Sequence, residues 1–120
     1  MTTMYGIANC DTIKKAKKWL DTKEIAFTFH DYKKQGVDDP VFIDRLKQAI
    51  EQAGLETVVN KRGTTYRKLS EEQKSSINDS TAIDILRDHP SMIKRPILVH
   101  EGEIILGFKD SAYAEFFKLA

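Results

Sequence analysis

Hydrophobic positions in the first third of the chain change period twice, which predicts an α/β start. Residues 4–7 form a short apolar segment, and apolar residues then recur at helical spacing over residues 13–20, with lysines between them. Residues 25–30 alternate between apolar and polar, as strands do. Strand, helix and strand in this order predict a βαβ unit with parallel strands and a right-handed crossover.

The middle of the chain predicts helices separated by loops. Residues 32–37 suggest a polar loop, after which Asp39 is a candidate N-cap with proline at the first helical position, and Gly54 is the predicted end of that helix. Residues 55–67 show no clean period and suggest a shaped loop. A capping box at residues 70–73 and a helical pattern over residues 79–88 follow.

The last quarter of the chain predicts two strands and a closing helix. Residues 96–99 and 103–107 are apolar segments joined by a Glu101-Gly102 turn, so they should pair as an antiparallel hairpin. Residues 111–119 form the predicted helix, with aromatic residues on its apolar side.

The order of these elements is β-α-β, helical insertion, β-β-α, which is the layout of a thioredoxin-like fold. We therefore expect an α/β protein with a mixed four-stranded sheet. The chain should form a single domain, residues 1–120, with its core at about residues 1–34 and 91–120 and the helical insertion at about residues 35–90.

Charge and composition narrow the function. The chain contains 19 basic and 18 acidic residues, so it has no large excess of positive charge that would favour direct nucleic-acid binding. No apolar segment is long enough to span a membrane, and we expect no leader at Met1. The single cysteine favours a reducing compartment. We therefore expect a cytoplasmic protein. Three histidines without metal-ligand spacing predict no metal site: His30, His89 and His100.

Cys10 is the main candidate for chemistry. It lies in a polar turn between the first strand and the first helix, where free backbone N–H groups and the helix dipole lower a thiol pKa. The alternative is that it is a small buried hydrophobe. Because Ile13 stands where a second cysteine would resolve a disulfide, an external thiol such as glutathione or a glutaredoxin must complete any redox cycle.

A second candidate feature is the Arg95-Pro96 pair before the third strand. We predict a cis bond there that faces Cys10, the alternative being an ordinary trans proline at the start of a strand. The Arg95 guanidinium suits an oxyanion or a carboxylate, although most arginines are solvated surface charges. Lys61 and Arg62 in the irregular loop are further candidates for the same cleft.

Four segments of the chain closely resemble the arsenate reductase (ArsC-like) family, in particular its YffB-like branch. They are Tyr5-Gly6-Ile7-Ala8-Asn9-Cys10-Asp11-Thr12-Ile13-Lys14-Lys15-Ala16, His30-Asp31-Tyr32, Arg62-Gly63-Thr64-Thr65-Tyr66-Arg67-Lys68-Leu69 and Lys94-Arg95-Pro96-Ile97-Leu98-Val99. The resemblance covers nearly the whole chain and implies the same thioredoxin-like fold with its helical insertion.

In glutaredoxin-linked members, the matching cysteine attacks arsenate, glutathione displaces arsenite to leave a mixed disulfide, and glutaredoxin restores the thiol. The resemblance implies that Cys10 is the catalytic residue. The implied substrate-binding residues are Arg95, Pro96, Thr12, Asn60 and Arg62. Asn60 and Gly107 stand where those reductases have arginines.

The sequence therefore predicts a monomeric cytoplasmic thiol oxidoreductase with no bound cofactor. Its expected reductant is glutathione, assisted by a glutaredoxin, and its expected substrate is a small oxyanion such as arsenate or a glutathionylated molecule. The alternative is a module like the related Spx regulators, which bind the C-terminal domain of the RNA polymerase alpha subunit. The Spx proteins that sense oxidation carry a Cys-x-x-Cys switch, which this chain lacks because Ile13 occupies the second position.

Overall fold

The computed structural model describes residues 1–118 and contains four strands and eight helices in that range. The strands are β1 (Thr2–Gly6), β2 (Thr28–Asp31), β3 (Ile97–His100) and β4 (Glu103–Leu106). The helices are α1 (Asp11–Thr22), α2 (Tyr32–Gln35), α3 (Pro40–Ala53), α4 (Leu55–Val58), α5 (Thr64–Arg67), α6 (Glu71–Ser75), α7 (Ala82–Asp88) and α8 (Asp110–Phe116), and a 3₁₀ turn spans Pro90–Met92.

The four strands form one mixed sheet in the order β2-β1-β3-β4. Strand β1 pairs in parallel with β2 and antiparallel with β3, and β3 forms a hairpin with β4. In this register Tyr5 lies opposite His30 on one side and Ile97 on the other. The predicted mixed sheet, its parallel first pair and its closing hairpin are all confirmed.

The contacts within the chain divide it into two compact units. One unit contains Met1–Gln35 and the segment that begins at Arg95, and the other is Gly36–Lys94. The first unit holds the whole sheet together with α1, α2 and α8, while the second unit is helical.

Helix α1 supplies much of the core of the sheet-containing unit. Its buried side chains lie three or four residues apart, as one face of a helix requires. The core cluster consists of Met4, Ile13, Ala16, Leu20, Leu98 and Tyr113. Cys10 packs against the edge of this cluster, so the position of the thiol is tied to the packing of α1 on the sheet.

The helical unit follows its capping signals. The Asp39 side chain accepts a hydrogen bond from the N–H of Val41 at 2.9 Å, and Gly54 is the C-cap of α3. Ser70 and Gln73 form the predicted capping box at the start of α6. These helix ends could be predicted because each depends only on neighbouring residues.

Two predicted boundaries are wrong because local geometry overrides the hydrophobic pattern. Strand β2 begins at Thr28 instead of residue 25, because residues 24 and 25 still belong to the C-terminal turn that closes α1: Glu24 has a φ of 57°, and the N–H of Ile25 donates to the carbonyl of Leu20 at 2.9 Å. The helix predicted over residues 79–88 begins at Ala82, because Asn78 and Thr81 form a hydrogen-bonded turn before it.

Two predicted loops contain short helices. Residues 32–37 include α2, and Tyr32 at its start is fully buried. Residues 55–67 include α4 and α5, and Val59 forms a β-bridge with Ile93. Single-turn helices are too short to show a period, which is why the pattern suggested loops. The predicted closing helix is present as α8, but it ends at Phe116, so its predicted extension through Phe117 and Lys118 is wrong; its predicted last residue, Leu119, lies outside the described residues.

In the part of the chain that the structure describes, every helix is too short or too polar to cross a membrane.

We expect Gly6→Ala to destabilise the fold by about 1 to 3 kcal/mol, the usual cost of overpacking a core. A methyl group at this position would overlap Cδ1 of Ile13, which is only 1% exposed, and would lie 3.4 Å from the Phe29 ring. Chemical denaturation of the two proteins measures this difference.

The matched control is the double variant Gly6→Ala, Ile13→Val, which removes the overlapping Cδ1 atom. It should be more stable than the sum of the two single changes predicts. Purely additive effects would show that the glycine has another role.

Candidate active site

Cys10 is the N-cap residue of helix α1. Its backbone is extended, with φ −108° and ψ 130°, and its carbonyl accepts the first helical hydrogen bond, from the N–H of Lys14 at 3.0 Å. No side-chain capping hydrogen bond is present there, but the backbone N–H groups of Thr12 and Ile13 act on the Cys10 side chain and lower its pKa. The thiol therefore lies at the start of α1, where backbone N–H groups favour the thiolate.

The turn before Cys10 has an unusual backbone. Asn9 has a φ of 66°, in the left-handed region that asparagine tolerates better than most residues. One residue earlier, the N–H of Ala8 donates to Oδ2 of Asp31 at 3.2 Å. The chain thus leaves β1, bends sharply and enters α1 with the cysteine at the bend.

Arg95 is the charged side chain that interacts with the thiol. Its guanidinium hydrogen-bonds to Cys10 and also interacts with the phenol of Tyr32. The predicted cis bond between Arg95 and Pro96 is confirmed. The structure therefore brings together three of the predicted site residues, Cys10, Arg95 and Thr12. Pro96 directly follows Arg95 in the sequence.

The Cys10 thiol is poised toward the thiolate. Burial raises the pKa of this thiol. Hydrogen bonds from the N–H of Ile13, from Arg95 and from the N–H of Thr12 outweigh burial, and the charge of Arg95 adds to them. The pKa of Cys10 is therefore lowered from its ordinary value, as expected for a reactive cysteine. Cys10 is also partly exposed, so a small molecule can reach it.

Two residues of the His30-Asp31-Tyr32 segment belong to this site, although their side chains were not singled out from the sequence. Burial raises the pKa of Tyr32 to about 12, so its phenol stays neutral near pH 7. Burial also raises the pKa of Asp31, but hydrogen bonds from the N–H of Ala8 and from the α2 backbone outweigh this and hold it below its usual value. An aspartate just before a short helix was the available signal.

Gly107 connects the second hairpin strand to the proline of the site. Its N–H donates to the carbonyl of Pro96 at 2.9 Å, and its own carbonyl accepts from the hydroxyl of Tyr113 at 2.8 Å. Gly107 has a φ of 74°. A residue with a side chain would be strained in this conformation.

A groove lies beside the first turn of α1. It has a volume of about 490 Å³ and includes Phe108, Asp110 and Ser111 in its lining. Thr12 also lines it, together with two lysines, Lys15 and Lys109. The groove thus places two lysines and one aspartate beside the first turn of α1, the helix whose N-cap is Cys10.

The two predicted loop residues, Asn60 and Arg62, belong to the helical unit. The N–H of Asn60 donates to the carbonyl of Met92 at 2.7 Å, and the carbonyl of Asn60 accepts from the N–H of Gly63 at 3.3 Å. Asn60 is half-buried and Arg62 is exposed. Their assignment to substrate binding stays a prediction.

Within residues 1–118 no group of three or more histidine, cysteine, aspartate or glutamate side chains is placed to hold a metal ion.

Comparison with known proteins identifies the family of this chain. The model of the ArsC family matches residues 5–116. The chain belongs to the ArsC family. The predicted resemblance and the thioredoxin-like fold class are thereby confirmed.

Curated relatives that match nearly the whole chain include an uncharacterized protein and transcriptional regulators. An uncharacterized protein of Haemophilus influenzae is 44% identical over 98% of this chain and 99% of its own length. The global transcriptional regulator Spx of Lactiplantibacillus plantarum is 26% identical over 97% of this chain and 86% of its own.

Two solved structures are similar in both sequence and fold. The YffB protein is 44% identical with a TM-score of 0.86, covering 96% of this chain and 97% of the other. An arsenate reductase (ArsC) related protein from Brucella melitensis is 43% identical with a TM-score of 0.74, covering 98% and 95%. The chain is therefore similar over nearly its whole length to a protein described as related to arsenate reductase.

We expect Arg95→Ala to raise the pKa of Cys10, because it removes both a hydrogen bond and a positive charge from the thiolate. The rate of alkylation at pH 7 should fall, and the midpoint of its pH profile should move up toward the free-cysteine value of about 8.5. Iodoacetamide labelling across a pH series measures both quantities.

Arg95→Lys is the matched variant, since it keeps the charge but loses the planar fork of donors. Its midpoint should fall between those of the wild type and Arg95→Ala. An unchanged midpoint in Arg95→Ala would show that the guanidinium does not act on the thiol.

Proposed function

We propose that this protein is a glutathione-dependent thiol oxidoreductase that acts in the cytoplasm with Cys10 as its nucleophile. The observation that carries the proposal is a partly exposed cysteine at the N-cap of α1, with its pKa lowered by backbone N–H groups and by Arg95. Lowered thiol pKa values are typical of catalytic cysteines, whereas structural cysteines are usually inert.

The first chemical step is attack of the Cys10 thiolate on the glutathione sulfur of a glutathionylated substrate. A Cys10–glutathione disulfide forms, the substrate sulfur–sulfur bond breaks, and the substrate leaves as a thiolate with the electron pair. The N–H groups that hold the sulfur of Cys10 are already in place, so this environment needs little reorganisation.

The second step must use a thiol from outside the chain. The position that a resolving cysteine would occupy holds Ile13, which is buried in the core and has no thiol. A second glutathione, or a glutaredoxin, attacks the glutathione sulfur of the mixed disulfide. Oxidised glutathione is released in the first case, and Cys10 leaves as the thiolate that Arg95 stabilises.

The groove beside α1 supports glutathione as the ligand. Glutathione carries two carboxylates, and Lys15 and Lys109 are two cations on this surface, with Thr12 linking it to the turn that follows Cys10. The groove volume of about 490 Å³ lies in the range of small-molecule sites. Its aromatic wall, Phe108, provides apolar surface for the peptide backbone of the ligand.

Arsenate is a second candidate substrate at the same thiol, because the chain is related to arsenate reductases. Arg95 is the only arginine of the sheet-containing unit, and Gly107 has a backbone conformation that disfavours an arginine. An oxyanion at Cys10 would therefore have fewer cationic partners than in those reductases. This difference favours a disulfide substrate over arsenate.

We expect oxidised glutathione to form one mixed disulfide, on Cys10, that excess glutathione with glutaredoxin removes. Intact-mass spectrometry detects the adduct, and Cys10→Ser, which has no thiol, is the blank.

Lys15→Ala should slow adduct formation at limiting glutathione disulfide, because it removes a cation from the groove. The control is Lys14→Ala, which changes an exposed lysine of the same helix that does not line the groove.

Absence of the adduct in the wild type at neutral pH would reject the proposed function. Equal effects of the two lysine changes would reject the groove as the glutathione site. A coupled assay with arsenate, glutathione and glutaredoxin on the same proteins then shows whether arsenate is also a substrate, since only a rate that Cys10→Ser loses counts as turnover.

A regulatory role like that of Spx is the second candidate, favoured by full-length similarity of this chain to Spx regulators. Such a module would bind the C-terminal domain of the RNA polymerase alpha subunit without redox chemistry. Binding should then be equally strong for the wild type and for Cys10→Ser in a pull-down with the purified domain. No retention of the domain by either protein would remove this candidate.

A further inference from the structure

The two carboxylate oxygens of Asp31 hold two different segments of the chain. Oδ1 accepts from the N–H groups of Lys33 at 3.0 Å and Lys34 at 3.2 Å, in the first turn of α2. Oδ2 accepts from the N–H of Ala8 at 3.2 Å, in the turn that leads to Cys10. Asp31 is only 7% exposed, so these hydrogen bonds are largely shielded from water.

The segment that Asp31 holds is a strained one. Between Ala8 and Cys10 lies Asn9, whose left-handed backbone is less favourable than the extended or helical conformations, although asparagine tolerates it better than most residues. After the cysteine, the first turn of α1 fixes the chain. Before it, the side-chain hydrogen bond that the structure gives to this turn is the one from Ala8 to Asp31.

Asp31 also belongs to the same electrostatic group as the thiol. Besides burial, which raises the pKa of Tyr32, Arg95 lowers this pKa, and Cys10 and Asp31 raise it. A carboxylate near a thiol raises the thiol pKa through its charge. The hydrogen bond from Ala8 to Asp31 should have the opposite effect on the thiol pKa. It holds the turn before Cys10, and the thiolate is stabilised by the N–H groups of the first turn of α1 only when Cys10 stays next to them.

We propose that Asp31 is a positioning residue for Cys10, which acts through the backbone of Ala8 and keeps the sulfur on the N–H groups of α1. This inference rests on the proposed role of Cys10 as the nucleophile. Asp31 touches neither the thiol nor a substrate, and it is not a catalytic residue.

The test is the pH profile of Cys10 alkylation in Asp31→Asn. Asparagine keeps an acceptor oxygen for the first turn of α2 but places an NH₂ group against the N–H of Ala8, where two donors cannot bond. We expect the midpoint of the profile to move up and the rate at pH 7 to fall by roughly two- to tenfold, the factor for one lost hydrogen bond.

Two further variants make the result specific. Asp31→Ser keeps a capping hydroxyl for α2 but has no second oxygen for Ala8, so it should show the same upward shift even if the asparagine variant folds poorly. Asp39→Asn makes the same change of charge at the exposed cap of α3, and its profile should match that of the wild type.

The direction of the shift decides the outcome. A lower midpoint in Asp31→Asn would show that Asp31 acts only through its charge, and an unchanged midpoint in both Asp31 variants would show that it serves only α2; either result overturns the proposal. Failure of the proposed function has a separate signature, because the wild-type profile itself would then show an ordinary, poorly reactive thiol.

Discussion

The close packing of Ile13 against Gly6 determines where helix α1 meets strand β1. The space for the Ile13 side chain exists because residue 6 has no Cβ, and the absence of that atom lets the first turn of the helix approach the end of the strand. Since Cys10 is the N-cap of the same helix and packs against the same core, its sulfur is placed by hydrophobic burial rather than by a flexible loop. The chemistry proposed for the thiol depends on this packing.

Around the sulfur, burial and hydrogen bonding oppose each other, and hydrogen bonding prevails. Partial burial disfavours a thiolate, but the backbone N–H groups at the start of α1 and the guanidinium of Arg95 favour it more. Arg95 interacts in turn with the buried phenol of Tyr32. The environment of Cys10 is therefore built from three separate segments, the β1–α1 turn, the junction of β2 and α2, and the residues just before β3, which meet only in the folded chain.

Gly107 determines how the end of β4 meets the proline of the site. Gly107 adopts a left-handed backbone and donates to the carbonyl of Pro96, so its position serves the geometry of the hairpin. Arg95 is left as the single arginine of the sheet-containing unit. The sheet-containing unit therefore offers one guanidinium next to one thiol, and a groove with two lysines beside the helix that begins at this thiol.

Hydrophobic periodicity and capping residues by themselves determined the order of the main elements, the parallel βαβ start and the ends of α3, because these depend on residues close together in sequence. Cys10 and the Arg95-Pro96 pair could be found for the same reason, since a cysteine before a helix and an X-Pro bond before a strand are local signals. Only the tertiary structure decided that Tyr32 is buried at the start of a helix and that Asp31 reaches Ala8 across 23 positions. One-turn helices carry no readable period, and the acceptor of a backbone N–H in a strained turn is chosen by the packing of distant segments.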